Sequence, residues 1–523
     1  MKLCKAMVNT GLNYRTFGDS KLLTGMIFGG VENFAMPCLV TRNIYNILTI
    51  ILLSGMPAIY KTVQADSLPE LGEAATQYLN SQQEEDIGKQ FLRELLTQKA
   101  YISDPELRDY LNQLGRKIGL NAGLRGITLH FNLLQENELN AFAVPGGYIT
   151  FNSGLLLTTE TESELASVVG HEIAHLSQRH LPRMVAKAQA AKLPTTAAII
   201  ASILLGGQAG VAGVTLANAN LISNQLAYTR EFEREADAIG MKLLADSGFD
   251  PKAMAEFFNK LQRFNAVSST DVPEFLRTHP LSYTRIAESE SRQNTYPATS
   301  HRSSFEFLLA KAKIRAIYWG RAEESIRILE EELINAQGLE KDASQYGLAL
   351  ATMRLRDYSA AKDMIMPLVI KYAETPAIRI AQAEISRQSG ATEDAVEIYQ
   401  KLVGQHPEKT YIKYYYLDTL IEHGDALAAK KVARHQLRRT PDEFRLYRNL
   451  ARANVELGNL VEAHQADGEY LAAIGRYRAA IASLKLALRD NAENSQYLSQ
   501  SIESRITSLE RLAADVKQRQ DQG

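Results

Sequence analysis

The chain has 523 residues, 45% hydrophobic and 23% charged, with 58 basic against 60 acidic side chains and a formal net charge of −2. That composition fits a globular chain of two to four domains and gives no support to nucleic acid as a partner. Its two cysteines, Cys4 and Cys38, lie near the N-terminus, so neither a disulfide framework nor a thiolate metal site is expected further on.

At the N-terminus, Arg42, the apolar run 47–53 and Val63-Gln64-Ala65 follow the basic, apolar, small-residue order of a secretory signal. We therefore expect residues 1–65 to be an extension and signal peptide cut after Ala65, with Met36 as a second candidate start. The apolar core falls short of the roughly 20 residues of a membrane-spanning helix.

Further along, Tyr148-Ile149-Thr150-Phe151 alternates behind Pro145-Gly146-Gly147. It predicts a strand entered by a tight turn, read as an edge strand able to pair with an extended peptide. An ordinary core strand is the competing reading.

The stretch from Thr161 to His180 predicts a helix, opened by a Thr161-x-x-Glu164 capping box and carrying Leu165, Val168, Val169 and Leu176 at helical intervals. It contains His171-Glu172-Ile173-Ala174-His175. Residues i and i+4 share a helix face, so the two imidazoles can grip one metal ion while Glu172 is placed to take a proton from an attacking water. His180, five residues after His175, falls off the metal-binding face and reads as an ordinary surface residue.

No charged residue occurs between Leu193 and Thr229. Gly206-Gly207-Gln208 and three asparagines interrupt this stretch, so we read two small-residue helices and a greasy loop that touches a membrane or covers the cleft, not a span. Beyond it, Glu233 and Asp237 lie four apart. A catalytic zinc needs three protein ligands, so Glu233 completes the set begun by His171 and His175, and Asp237 is placed to orient a ligand histidine.

Taken with Asn140-Ala141-Phe142-Ala143-Val144-Pro145, Asn152-Ser153-Gly154, His279-Pro280 and Arg285, this order of motifs resembles the zinc metallopeptidase family of the CAAX prenyl endopeptidases and HtpX heat-shock proteases. Its soluble, exported members with tetratricopeptide repeats are the nearest likeness. The resemblance implies an α+β, gluzincin-type domain, one zinc ion held by His171, His175 and Glu233, Glu172 as catalytic base and Asp237 behind the ligands. For the exported members it further implies a periplasmic endopeptidase for quality control of stalled outer-membrane β-barrel proteins, docked through its repeats on their assembly machinery. His279 is open between two roles, a donor to the developing oxyanion or a fourth zinc ligand that keeps the site latent. Arg285 is open between helping the oxyanion and pairing with a nearby acid.

From about residue 301 the pattern becomes continuously helical. Gly390, Gly424 and Gly458 stand 34 apart, each followed five residues later by Ala395, Ala429 or Ala463. Arg356 with Ala361 keeps the register, Gly320 with Ser325 keeps it loosely, and Gly475 with Ala480 follows at a half-repeat. A 34-residue period belongs to tetratricopeptide repeats, whose stacked helix pairs form an all-α solenoid with a protein-binding concave face. Tyr411, Tyr414, Tyr415 and Tyr416 read as core more readily than as that face. The expected division is residues 1–65, then a peptidase domain over 66–300, then repeats over 301–523. A chaperone or scaffold with a latent or structural metal site is the competing function.

Overall fold

The computed structural model describes residues 79–190, 219–267, 274–491 and 495–522, apart from 125 and 298. The expected signal peptide, both cysteines and most of the 193–229 stretch lie outside the described residues. Among those described, no helix is long and apolar enough to cross a membrane.

Helices α1 (Ser81–Leu95) and α2 (Pro105–Gly119) come first, each started by a side-chain cap, Asn80 and Asp104 respectively. Strands β1 (His130–Leu134), β2 (Ala141–Val144) and β3 (Tyr148–Asn152) form one sheet in the order β1-β3-β2. β3 runs parallel to β1 and antiparallel to β2. The edge assignment for Tyr148–Phe151 is thus wrong: this strand is central, buried at all five positions. The Pro145-Gly146-Gly147 turn is real, with both glycines at positive φ, but it carries the chain inward from the edge strand β2. Thr150 and Asn152 on the second face of β3 are buried as well, so the alternation does not mark a solvent-facing side, and the short β2 carries little sequence signal of its own. On the far side β1 is covered by backbone bonds from Ile102 to Leu133 and from Gln135 to Ala100.

Beneath the sheet lie α3 (Ser153–Thr158), α4 (Glu162–Ser177), α5 (His180–Ala190), α6 (Ala219–Asp246), α7 (Lys252–Val267), α8 (Glu274–Thr278) and α9 (Tyr283–Gln293). Thr161 caps α4 by accepting from the Glu164 backbone N–H, but the capping box does not close. The Glu164 carboxylate instead accepts from the Glu160 backbone and from buried Lys260. α4 is buried along nearly its whole length, because the sheet, α2, α6 and α7 all pack on it. A glycine on each helix lets α4 and α6 touch: a Cβ on Gly170 would lie 3.1 Å from the Gly240 carbonyl oxygen, and one on Gly240 would lie 3.0 Å from the His171 nitrogen. This close approach brings the acidic residues of α6 onto the histidines of α4.

Helices α10 (Phe305–Lys313) to α21 (Gln496–Gln522) make up the rest, with a π-helical turn, Ile314–Tyr318, after α10. Consecutive helices pack on one another, and alternate ones, such as the pair Thr410–His423 and Phe444–Glu456, also touch. The 34-residue register falls in the turns between consecutive helices, where Gly390, Gly424 and Gly458 all have positive φ. Arg356, in the same register, adopts φ 65° despite its side chain. The alanines five residues on are buried, as is Ser325, which is what close helix packing requires. Tyr411 and Tyr414 are buried in a core cluster and Tyr415 and Tyr416 pack against it.

The described residues form one compact unit. The core beneath the sheet runs on into Phe307, Ala310 and Ile314 of the C-terminal helices. Polar bonds reinforce the junction. Lys313 is 2.8 Å from Asp104 and 2.9 Å from Glu106, the Tyr415 hydroxyl donates to Asp104 at 3.1 Å, and Arg108 meets Glu443 at 2.8 Å.

Candidate metal centre

His171, Glu172 and His175 come from the last two turns of α4, and Glu233 and Asp237 from adjacent turns of α6. His279 follows α8 and Arg285 opens α9, whose N-cap Ser282 accepts from the Arg285 backbone N–H. One ligand atom from each of His171, His175, Glu233 and His279 lies within 4.8 Å of the others. His171 Nε2 is 3.0 Å from His175 Nε2 and 3.3 Å from Glu233 Oε2. His279 Nδ1 is 3.3 Å from His171 Nε2 and 3.1 Å from both Glu233 oxygens. Three imidazoles and one carboxylate on one point are a nitrogen and oxygen donor set of the kind that holds zinc.

Around these donors the charges are arranged in a definite order. Asp237 Oδ1 sits 3.1 Å from His171 Nδ1, while Arg285 donates to both Asp237 oxygens at 2.7 and 2.8 Å. Arg285 also reaches Glu233 at 3.1 Å and the Pro280 carbonyl at 2.8 Å, so its guanidinium is engaged by two acids. Burial alone would depress His171, but Asp237 and Glu233 outweigh it and push it up to about 10. Burial drives His175 well below the usual imidazole range against the pull of Glu233. Glu233 is held well below the carboxylate range, since His279, His175 and Arg285 overcome the effect of burial.

Glu172 is 1% exposed and its Oε1 lies 3.5 Å from His279 Nε2. Burial raises its carboxyl, opposed by His279, His171 and the Ala143 backbone amide. That amide belongs to β2, so the edge strand of the sheet borders the base.

His180 departs from expectation. The helix does not continue to it: α4 ends at Ser177, Arg179 turns with φ 53°, and α5 begins at His180. The reversal folds His180 back until its Nδ1 is 2.8 Å from His175 Nδ1, with the ring 2% exposed. Its Nε2 lies 3.3 Å from Glu235, which also meets Arg183 at 3.0 Å. A glycine or asparagine at 179 would have advertised such a break; an arginine does not. Glu235, adjacent to the acids already singled out, was equally illegible.

The model of "Peptidase family M48" matches residues 104–293, which take in every residue of this site. The chain is 36% identical over 308 residues to "Beta-barrel assembly-enhancing protease" of Escherichia coli K12, covering 58% of this chain and 63% of that relative. It is 31% identical over 419 residues to "Putative beta-barrel assembly-enhancing protease" of Vibrio cholerae, covering 79% and 86%. With the Yersinia pestis protein of the former name, 30% identity extends over 457 residues, 86% of this chain and 92% of the relative. Likeness along nearly the whole of that relative, over a family model that takes in both helices of the metal centre, means that the chain belongs to peptidase family M48.

Proposed function

We propose that this chain is a zinc-dependent endopeptidase of the periplasm, kept latent by His279 and directed to outer-membrane β-barrel proteins. One observation carries the reading: a buried carboxyl, Glu172, lies between four convergent metal donors and the backbone of an edge strand. A structural metal site has no use for such a neighbour.

His171, His175 and Glu233 hold the ion, with His279 as fourth ligand. Zinc, when bound, supplies Lewis-acid polarisation of the substrate carbonyl and a lowered water pKa. Glu172 takes the proton from the attacking water and returns it to the leaving amine, and its raised carboxyl suits the second half of that task. Asp237, gripped by Arg285, orients His171. An extended substrate adds a strand along the outer edge of β2, which brings its backbone past Glu172. His279 fills the place that substrate needs, so it must withdraw before cleavage.

The periodic helix pairs support tetratricopeptide repeats over 301–523, behind a peptidase domain over 66–300. The relatives are named for enhancing β-barrel assembly, which supports a role on that path: stalled outer-membrane proteins are the substrate in this reading, and their assembly machinery docks on the repeats. Residues 1–65 export the chain, and the 193–229 stretch makes a peripheral membrane contact. The test is to purify the chain and its Glu172→Gln variant, measure zinc and assay cleavage of an unfolded outer-membrane protein. One zinc per chain in both, with cleavage lost only in the variant, supports the proposal. Full function of Glu172→Gln in cells would make the chain a repeat scaffold with a structural metal site.

A further inference from the structure

Each ring of the histidine pair on α4 has one nitrogen facing the donor cluster and one facing away. Behind His171 stands a carboxylate, Asp237, itself held by Arg285. Behind His175 stands another imidazole. His180 Nδ1 is 2.8 Å from His175 Nδ1, its Nε2 is 3.3 Å from Glu235 Oε2, and Arg183 Nη1 is 3.0 Å from the same oxygen. The two histidines thus end on the same pair of groups, an acid and an arginine, with one imidazole added on the His175 side.

That extra ring is held, not adventitious. It is 2% exposed and stacks on buried Phe232 at 4.6 Å with 21° between the planes. The Arg183 guanidinium lies over the opposite partner of that stack, 4.6 Å from the Phe232 ring centre. Phe232 immediately precedes Glu233, so the surface that seats His180 is fixed by the same helix turn that delivers the acidic donor. The left-handed turn at Arg179 is what returns His180 to this place.

We infer that His180 is a positioning residue for the metal site: it fixes the tautomer and ring orientation of His175 by accepting a hydrogen bond from His175 Nδ1, and relays that bond to Glu235. The inference rests on the metal-site reading above. A neutral imidazole carries one ring proton, and for His175 to offer Nε2, the atom 3.0 Å from His171 Nε2, that proton must sit on Nδ1. Only one of two facing Nδ1 atoms can donate. His175 therefore donates, His180 accepts, and the His180 proton lies on Nε2, aimed at Glu235. Arg183, 3.0 Å from Glu235 Oε2, holds Glu235 in place as the final acceptor. Such outer partners commonly change metal affinity by about 10- to 100-fold.

The experiment is zinc affinity by chelator competition on the full chain, with cobalt substitution read by its visible absorption. His180→Phe keeps the stack on Phe232 and removes the acceptor. It should lose zinc affinity by about 10-fold or more and alter the cobalt bands, with the metal-free melting temperature little changed. His180→Asn, whose amide oxygen can stand where Nδ1 stands, should recover most of the affinity. Glu235→Ala, on a half-exposed residue that cannot disturb the core, should give a smaller loss of the same kind. Equal zinc affinity in wild type, His180→Phe and Glu235→Ala would overturn the relay and leave the peptidase reading standing. A wild type that binds no zinc would overturn the metal reading and the relay together.

Discussion

At the junction of the peptidase helices with the C-terminal helices, Lys313 meets Asp104 and Glu106 at 2.8 and 2.9 Å, with the hydroxyls of Tyr415 and Tyr318 also on the cluster. At the candidate metal centre, by contrast, His171, His175, Glu233 and His279 all direct atoms to one point, and buried Glu172 Oε1 has no hydrogen-bond partner among the described residues. Both places bury charge between packed helices. In the first, opposite charges satisfy one another and act as a lock. In the second, donors of electron pairs face one another, an arrangement that favours a cation and whose one idle acid is suited to moving protons. Buried charge is thus structural where its partners are complementary and chemical where they are alike.

Breaking the second arrangement should have the largest effect. Glu172→Gln should lower peptidase activity by at least about 100-fold with zinc retained, measured by cleavage rate and metal analysis on the same sample.

Breaking the first should leave chemistry and remove stability. Lys313→Ala strands two buried carboxylates and should cost about 3–5 kcal/mol, read from denaturant unfolding. Lys313→Ala should also make the chain between the two parts easier to nick by protease.

Acid sharpens the same contrast. Asp104 is held below the usual carboxylate range because Lys313 overcomes the effect of burial, and Glu443 is held down in the same way by Arg108. A depressed carboxyl gives stability that is full above its ordinary value of about 4 and lost as pH falls through its depressed value. Glu106, raised by burial, works in the opposite sense and offsets part of this. The melting temperature should therefore fall between about pH 5 and 3, and fall less in Glu443→Gln.

The smallest effect concerns the helix pairs. Arg356 has φ 65° at a place where its register mates are glycines, and Arg356→Gly should relieve strain of no more than about 1 kcal/mol. A melting temperature that drops instead would mean that the arginine side chain makes up for its backbone.

That register shows how far sequence alone reached. A 34-residue spacing picked out Arg356 as a turn position although nothing about an arginine suggests positive φ, because periodicity carries information that residue type does not. The convergence of His171, His175 and Glu233 was legible for a related reason: helical spacing maps directly onto space. His180 was lost because its position depends on a break in the helix at Arg179, and a single unusual backbone angle shifts everything after it. The central place of Tyr148–Asn152 was lost because strand order is set by partners far away in the chain, here His130–Leu134, which local alternation cannot reveal. Lys313 was invisible for the same cause, since its acids lie some two hundred residues earlier.

The claim that matters most is that four donors meet where catalysis needs three. It is tested most directly by the peptidase rate of His279→Ala, compared with wild type at equal, measured zinc content on an unfolded outer-membrane protein. His279→Ala should cleave faster and still hold one zinc per chain. A variant that keeps its zinc but cleaves no faster, or more slowly, would contradict it and assign His279 to the transition state instead.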